Sequence, residues 1–481
     1  MATRLPRNRV DLTVSEIAQA TGGVLAVPGT GAPVTSVSTN TRELEPGAVF
    51  VALTGLVHDG HDHVRQAAAA GATVAVVERD VDAPPTMSLV RVGSTLRALG
   101  DLAAGHVRRW HEHAGRVVIG ITGSAGKTTT RVATSAILEK LFPGELLATR
   151  GNLNNRIGVP MMLLSLAPEH RVVVLELGTS EPGEIAELCR IARPDVGILT
   201  LIAAAHVEGL GSIDGVADEK AALFRSLSRD GIAVGNGDDA RVHRALEATE
   251  CTRVTYGRTA TADLRVAERT PIGMTRSSVV LAGEHGRQIA FETPLVGEAG
   301  ALACAAAIAA VEAAFHVRLE GDWLTDAFDD VQVGEGAQRL VPLALGSGLA
   351  VIDDTYNANP ASMASSIRAA GEMARVMNRT LVLVLGEMRE LGSEAARGHE
   401  EVGHVAAEAG ARLVLAVGGG ETRRIADTAR HDGANVVFLP SVDEGLSAIV
   451  DAVRVSDLVL VKGSRSSGTD RVVAELEQRN N

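Results

Sequence analysis

Short apolar runs recur along the chain, separated by stretches in which apolar residues return at helical spacing, a pattern that predicts strands alternating with helices. Near the start, a capped helix from Ser15 is followed by GAVFVAL, DHVRQAAAAGA, TVAVVE and TLRALGDLAAGHVRRWHEH, which predict a small α/β unit. A second series opens with the strand RVVIGIT at 116–122 and continues through RVVVLELG and VGILTLI, with helical stretches between them. A third begins after about Gly334, with LAVIDDTYN, RTLVLVLGE, RLVLAVGG, NVVFLP and DLVLVKG again separated by helices. Uninterrupted apolar strands joined by helices predict mostly parallel sheets covered on both faces. The expected fold is α/β in three domains. These are a small N-terminal α/β domain (1–113), a central domain with a mostly parallel sheet (114–336) and a C-terminal Rossmann-like doubly wound domain (337–481).

Composition narrows the class. The chain has 481 residues, enough for roughly two to four cores of about 100–200 residues each. Hydrophobic residues at 46% and charged residues at 22% suit a globular chain, and an aromatic share of only 2% makes its core aliphatic. A formal charge of −13 offers no general attraction to nucleic acid or to an anionic membrane, so any anion must be held by a local site. Cys189, Cys251 and Cys304 lie far apart without metal-ligand spacing, which predicts buried, inert thiols in a reducing compartment and no structural zinc. No apolar run of signal-peptide length opens the chain. No segment approaches the ~20 apolar residues that span a bilayer, so a cytoplasmic protein without membrane insertion is expected. Of the 46 basic residues only Lys127, Lys140, Lys220 and Lys462 are lysines. A chain that otherwise writes positive charge as arginine can reserve lysine for a compact ammonium or a neutral amine.

The strand RVVIGIT runs directly into TGSAGKTTT, Thr122 to Thr130, and then into a helix. That context suits a phosphate loop, because backbone N–H groups at a helix N-terminus converge on phosphate oxygens. Gly123, Ser124, Ala125 and Gly126 would supply the loop, Lys127 would meet the outer phosphates, and Thr128, beside Thr129, would place a hydroxyl on Mg²⁺. Position 121 is Ile rather than Gly, so this is a shortened relative of the usual phosphate loop. ATP with Mg²⁺ is the expected ligand.

Acids and a histidine follow where parallel strands end: Glu176 closes VVVLELG, then His206 and Glu208 follow VGILTLI. Ligands of open α/β sheets bind at those ends, and a carboxylate such as Glu176 suits Mg²⁺. His206 alone would read as a loop histidine; its position beside Glu208 and Lys220 favours a functional reading. In the third series a buried strand delivers Asp353 and Asp354 into a turn containing Asn357 and Asn359, where carboxylates can accept hydrogen bonds from a ribose or an amine. A turn capped by its own side chains would explain the asparagines but not both aspartates.

With these pieces in place the chain resembles the Mur ligase family over nearly its whole length. The resemblance rests on TNTRELEPGAVFVALTG with HDGHDH, TGSAGKTTT, GNLNNRIGVP, ELG followed by PGEI, AAHVEGLGS, DDTYNANPASM, GEMRELG with His399, and VKGSRSS. GNLNN with IGVP, YNANP and KGSRS points to the branch that joins D-alanyl-D-alanine to UDP-N-acetylmuramoyl-tripeptide, and the DNPR motif of the sibling that adds a diamino acid is absent. What the resemblance implies is a monomeric cytoplasmic ligase of peptidoglycan precursor synthesis, with an N-terminal domain for the UDP-sugar, a central ATPase domain and a C-terminal domain that closes over both.

By position, the resemblance assigns Thr41, Arg42, His61 and Asn155 to the UDP-sugar, and Thr128, Glu176 and His206 to metal. It makes Lys220 the lysine that takes up CO₂ as a carbamate and helps hold a second Mg²⁺. Arg339 and Asp354 would reach the nucleotide on closure, and Asn357, Asn359, His399, Lys462 and Arg465 would line the dipeptide side. The catalytic set it implies is Lys127, His206, Lys220 and Asp354. The chain departs from the family pattern at several places. Leu201 replaces an Asn, Thr179 and Ser180 replace an Asn-His pair, Asn40 replaces an Asp and Ala222 an acid. The GxHNxxN segment beside the adenine reads GEAGALA at 297–303. Two other readings are a related amide ligase with another acyl acceptor and a non-catalytic nucleotide-binding relative.

Overall fold

The computed structural model describes residues 3–55, 57–331 and 340–480, so Arg339 lies outside the described residues. The chain divides into two compact units. Unit 1 holds Met1–Gly120, Phe142–Gly178 and Glu184–Asp195; unit 2 holds Ile121–Leu141, Thr179–Gly183 and Val196–Asn481.

Unit 1 contains strands β1 (Val24–Val27), β2 (Ser36–Ser38), β3 (Ala48–Val51), β4 (Val74–Val77) and β5 (Ser88–Arg91), in the order β1-β5-β4-β3-β2. All pairs are parallel except β1 with β5. The central strands AVFV and VAVV are buried at every position, as strands covered on both faces must be, whereas edge strand β1 is largely exposed. Phe50, Val64, Ala67, Ala75 and Met87 form the core. The first helix, Val14–Thr21, starts one residue before the expected Ser15 because Thr13 and Glu16 cap it reciprocally. Strand β6 (Val117–Thr122) begins in unit 1, which also holds β7 (Leu146–Ala148) paired in parallel with β8 (Val172–Glu176).

Unit 2 continues with β9 (Val196–Leu199), β10 (Ile232–Asn236), β11 (Thr252–Gly257), β12 (Leu264–Ile272), β13 (Arg276–Gly283) and β14 (Gln288–Thr293), each bonded to the next. From β9 to β12 the pairs are parallel; β12, β13 and β14 form an antiparallel meander. Its strands alternate buried and exposed residues, as in QIAFET, because one face meets the core and the other meets water. Helix Gly297–Phe315 corrects the expectation that no segment approaches bilayer-spanning length: its 19 residues are long and apolar enough by composition. Its residues from Ala303 to Val311 are buried, and it packs against the phosphate-loop helix Lys127–Leu141 and strand β11. The C-terminal strands are β15 (Val341–Ala344), β16 (Ala350–Asp354), β17 (Thr380–Gly386), β18 (Leu413–Val417), β19 (Val436–Leu439) and β20 (Asp457–Lys462). They order as β15-β16-β20-β17-β18-β19, with only β15 antiparallel, the doubly wound pattern expected. Of the cysteines expected to be buried, Cys189 and Cys304 are, while Cys251 is half-exposed.

Candidate active site

The sharp turn after β6 is made by Gly123, whose φ of 149° and whose missing Cβ, which would lie 1.9 Å from Thr200 Oγ1, admit no other residue without rearrangement. Three side-chain and main-chain contacts pin the loop to the segment after β9. Ser124 Oγ donates to Ala203 O at 2.9 Å, Thr200 Oγ1 donates to Ala125 O at 2.6 Å, and Ser124 N–H donates to Leu201 O at 2.8 Å. The last contact uses the main chain of Leu201, so this loop contact does not depend on the Asn found elsewhere in the family. Lys127 Nζ donates to Gly123 O at 2.6 Å, folding the ammonium over the loop, and Thr128 and Thr129 open the helix half-buried. Loop amides, helix dipole and ammonium together make a polyphosphate site.

Beside the loop lies a cavity of about 400 Å³, lined by Ala125, Gly126, Thr129, Thr130, Asn236 and Tyr256 among others. That volume suits a nucleoside. Tyr256 is fully buried, and burial pushes its phenol ionisation upward, so it stays neutral and donates to Thr200 O at 3.4 Å. The start of helix Gly297–Phe315 forms one wall, where Ala299, Gly300 and Ala303 present no polar side chain. Glu298 on the same turn is held by Arg258 Nε and Nη2, each at 2.6 Å, and by Arg269 at 3.3 Å, so it is occupied by the protein itself.

Lys220 sits on helix Ile213–Arg225 and is 1% exposed. Burial, and then the nearby positive charge of Lys127, push its amine well below the ordinary lysine range, with Glu219 opposing. Glu219 was not found by the sequence reading. It is buried, accepts Gly183 N–H at 2.7 Å and the Thr179 hydroxyl at 3.4 Å, and so employs one residue that departs from the family pattern. Only its adjacency to Lys220 could have signalled it. His206 takes the left-handed conformation, φ 57°, and its Nδ1 lies 2.6 Å from Glu390 Oε2. Burial and Lys127 lower its pKa, with Glu390 opposing, which favours the neutral imidazole. Glu208 is exposed.

The C-terminal residues reach this neighbourhood through Asn359. Its Oδ1 caps helix Pro360–Val376 by accepting Ser362 N–H at 2.9 Å, while Nδ2 donates to Ser124 O of the phosphate loop at 3.1 Å. Asp354 is buried; Oδ2 accepts from Ser366 and from Lys462, both at 2.6 Å, and Oδ1 has no partner among the described residues. Asp353 instead caps the following turn through Thr355, so the two aspartates divide between structure and site. Lys462 is 0% exposed and also donates to Asn357 O at 3.0 Å, while Asn357 Oδ1 accepts Ala358 N–H. His399 uses both ring nitrogens on main chain, Nε2 accepting Met388 N–H at 3.2 Å and Nδ1 donating to Ala395 O at 2.7 Å. It therefore shapes the 387–391 loop from beneath. Arg465 is exposed and stacks over the Tyr356 ring, 6.0 Å from its centre.

In unit 1, Glu176 is 4% exposed at the end of β8; it accepts from Asn154 Nδ2 at 3.1 Å, and its N–H donates to the Thr149 hydroxyl at 3.0 Å. Asn155 caps the next turn, its Oδ1 accepting Ile157 and Gly158 N–H. Thr41 is half-buried and Arg42 exposed, and Asn40 accepts Arg42 N–H at 3.1 Å, preserving the turn that an Asp would cap. His61 is buried: Nε2 accepts Glu78 N–H at 2.9 Å, so Nδ1 carries the proton donated to Asp59 at 2.6 Å. The main-chain N–H of His61 and then its ring hold the Asp59 carboxyl far below its usual range.

Among the described residues no three His, Cys, Asp or Glu side chains form a ready-made metal cluster. In unit 2 the residues of the expected metal set are Thr128 and His206 with Lys220, a sparse set that suits Mg²⁺, which keeps several waters and draws on substrate phosphates.

A phosphate loop beside a nucleoside-sized cavity, with a buried lysine of lowered pKa in the same unit, defines a nucleotide-dependent enzyme. The chain belongs to the Mur ligase family: residues 33–106 match its catalytic domain, 121–311 the Mur ligase middle domain and 338–465 the glutamate ligase domain. It is 34% identical over 480 residues to the UDP-N-acetylmuramoyl-tripeptide–D-alanyl-D-alanine ligase of Escherichia coli (strain K12), covering 98% of this chain and 99% of that one. Identity to the Bacillus subtilis (strain 168) ligase of the same name is 31% over 476 residues, 96% and 98% of the two chains. A crystal structure of MurF from Acinetobacter baumannii superposes with a TM-score of 0.85 at 31% identity, over 98% of this chain and all of that one.

Proposed function

We propose that this chain is the ATP-dependent ligase that joins D-alanyl-D-alanine to UDP-N-acetylmuramoyl-tripeptide. The observation that carries the chemistry is Lys220, a lysine 1% exposed whose amine is pushed toward neutrality by burial and by Lys127. A structural lysine gains nothing from such a place, whereas an amine that adds CO₂ must be neutral. The balance is R–NH₂ plus CO₂ giving R–NH–COO⁻ and a proton. Arginine could not substitute, because its guanidinium is never neutral.

In this reading ATP lies with its base in the cavity and its phosphates on Gly123–Thr129. Lys127 and the loop amides stabilise charge on the transferring phosphoryl group, which is most of what phosphoryl transfer asks of a protein. The tripeptide carboxylate takes the γ-phosphoryl group, ADP leaves, and the amine of the dipeptide then displaces phosphate. Bound Mg²⁺ would neutralise phosphate charge, with Thr128, His206 and the carbamate of Lys220 as the residues of unit 2 assigned to it; Glu176 of unit 1 is assigned to metal by the family resemblance alone. The acyl phosphate must be kept from water. Asn359 and Glu390, reaching the loop and His206, are the contacts that close this side. Asp354 Oδ1 is available to accept a nucleotide hydroxyl. Thr41, Arg42, His61 and Asn155 are assigned to the UDP-sugar, and Asn357, His399, Lys462 and Arg465 to the dipeptide side. His399 acts there by supporting its loop.

Phosphate release measured with UDP-N-acetylmuramoyl-tripeptide tests the reading. Release should depend on D-alanyl-D-alanine. Equal release with and without the amine, or no pentapeptide product by mass spectrometry, would defeat it.

A further inference from the structure

The loop that carries Glu390 is built to meet His206. Leu391 is 1% exposed and anchors it, and Glu208 N–H donates to Glu390 O at 3.4 Å. Gly392 permits the approach, since a Cβ there would lie 3.3 Å from Glu208 N and Cα. Both hydrogen-bond partners are held in the left-handed region, His206 at φ 57° and Glu390 at φ 62°, which neither residue favours unless the surroundings hold it there. Arg389 next door pairs with Glu387, leaving the Glu390 carboxylate to the imidazole. A carboxylate only accepts, so the 2.6 Å contact requires a proton on Nδ1, and in the neutral ring Nε2 then carries the lone pair. Nε2 has no hydrogen-bond partner among the described residues.

We propose that Glu390 is a positioning residue: it fixes His206 in the Nδ1–H tautomer and presents Nε2 to a metal ion for as long as the Glu390 loop is docked on the His206 turn. The metal half of this statement rests on the ligase reading above. A carboxylate behind a metal-binding imidazole fixes the ring's tautomer and orientation and raises its basicity. Here the carboxylate comes from the C-terminal sheet's connections, after β17, while the imidazole follows β9. Docking of one segment on the other would then orient the imidazole toward the metal.

The test uses the metal-free full chain with ¹⁵N-labelled histidine, the His206 signals being assigned with His206→Gln. Long-range ¹H–¹⁵N spectra of the wild type should show Nδ1 protonated and Nε2 bare. Glu390→Ala should move the population toward Nε2–H, whereas Glu390→Gln, whose Oε1 can accept the same proton, should keep Nδ1–H. Mn²⁺ binding by electron paramagnetic resonance, with a non-hydrolysable ATP analogue, should weaken about 10-fold or more in Glu390→Ala and less in Glu390→Gln. An unchanged tautomer in Glu390→Ala, or unchanged Mn²⁺ affinity, overturns the proposal. Should Glu390→Ala fail to fold, Glu390→Asp, too short to reach Nδ1, carries the same expectations. Neither measurement uses the acyl substrate or the amine. Failure of the ligase reading in the phosphate-release assay would therefore leave the tautomer result standing, and the converse holds.

Discussion

Lys220 and Lys462 are both buried lysines of unit 2, and their surroundings are opposite. Lys462, at the end of β20, meets the Asp354 carboxylate at 2.6 Å and the Asn357 carbonyl at 3.0 Å, so its charge is matched. The Lys220 amine is disfavoured as a charge first by burial and then by Lys127, and Glu219, which also accepts from Gly183 and Thr179, opposes this. The difference separates two uses of a scarce residue. Lys462 is matched to Asp354 as an ammonium, and in the proposed function Lys220 is the amine that takes up CO₂.

Substitutions should therefore act in opposite directions on stability and activity. The largest effect is on turnover. Lys220→Arg should lower amine-dependent phosphate release by about 10²-fold or more, the scale of losing one group that stabilises the transition state. Added bicarbonate should not restore it, while a short carboxylate should partly restore Lys220→Ala. Recovery of Lys220→Arg by bicarbonate would erase the distinction between the two lysines.

Next comes stability. Lys462→Met leaves the Asp354 carboxylate buried without its cation and should cost about 3–5 kcal/mol in urea unfolding. Lys220→Met, measured without metal or bicarbonate, should leave stability unchanged or raise it. Equal losses for the two would mean that Lys220 is a charge in a matched pair after all.

The pH dependence sharpens the same contrast. The folded pKa of Lys220 lies well below its ordinary 10.5, so between those two values the unfolded chain binds more protons than the folded one. Stability of the metal-free, CO₂-free protein should thus rise with pH across that window and fall as pH drops toward the depressed value. Lys220→Met should flatten that part of the profile.

The smallest effect concerns Asn359. Replacement by Ala removes a helix cap and should cost about 1 kcal/mol. Asn359→Ser restores the cap without the reach to Ser124 O, and should recover most of that stability while ATP affinity stays reduced. Recovery of both would make the loop contact incidental.

Much of this was legible in the sequence for physical reasons. The parallel strands are uninterrupted apolar runs such as LVLVLG and DLVLVK, and the phosphate loop is local in sequence, so order along the chain reported arrangement in space. The antiparallel meander β12–β14 was less legible, because polar residues interrupt LRVAERTPI and QIAFET, and the one apolar run in RSSVVLAG is only four residues long. Helix Gly297–Phe315 was hidden differently, its run of alanines giving no apolar–polar alternation of helical period by which to mark it as a helix. Within the site, residues that act through long-range partners were the ones missed. Glu390 meets His206 from 184 positions away, and nothing in either motif states the pairing. His61 and His399 were legible as motif members, but only coordinates show their ring nitrogens committed to Asp59, Glu78, Met388 and Ala395.

The contrast between the two lysines comes down to whether Lys220 is a reacting amine. The most direct measurement is ¹³C NMR of the full chain equilibrated with ¹³C-bicarbonate and Mg²⁺. One protein-bound carbamate resonance should appear, remain in Lys140→Met and vanish in Lys220→Met. No carbamate resonance in the wild type, or one that survives Lys220→Met, would contradict the account.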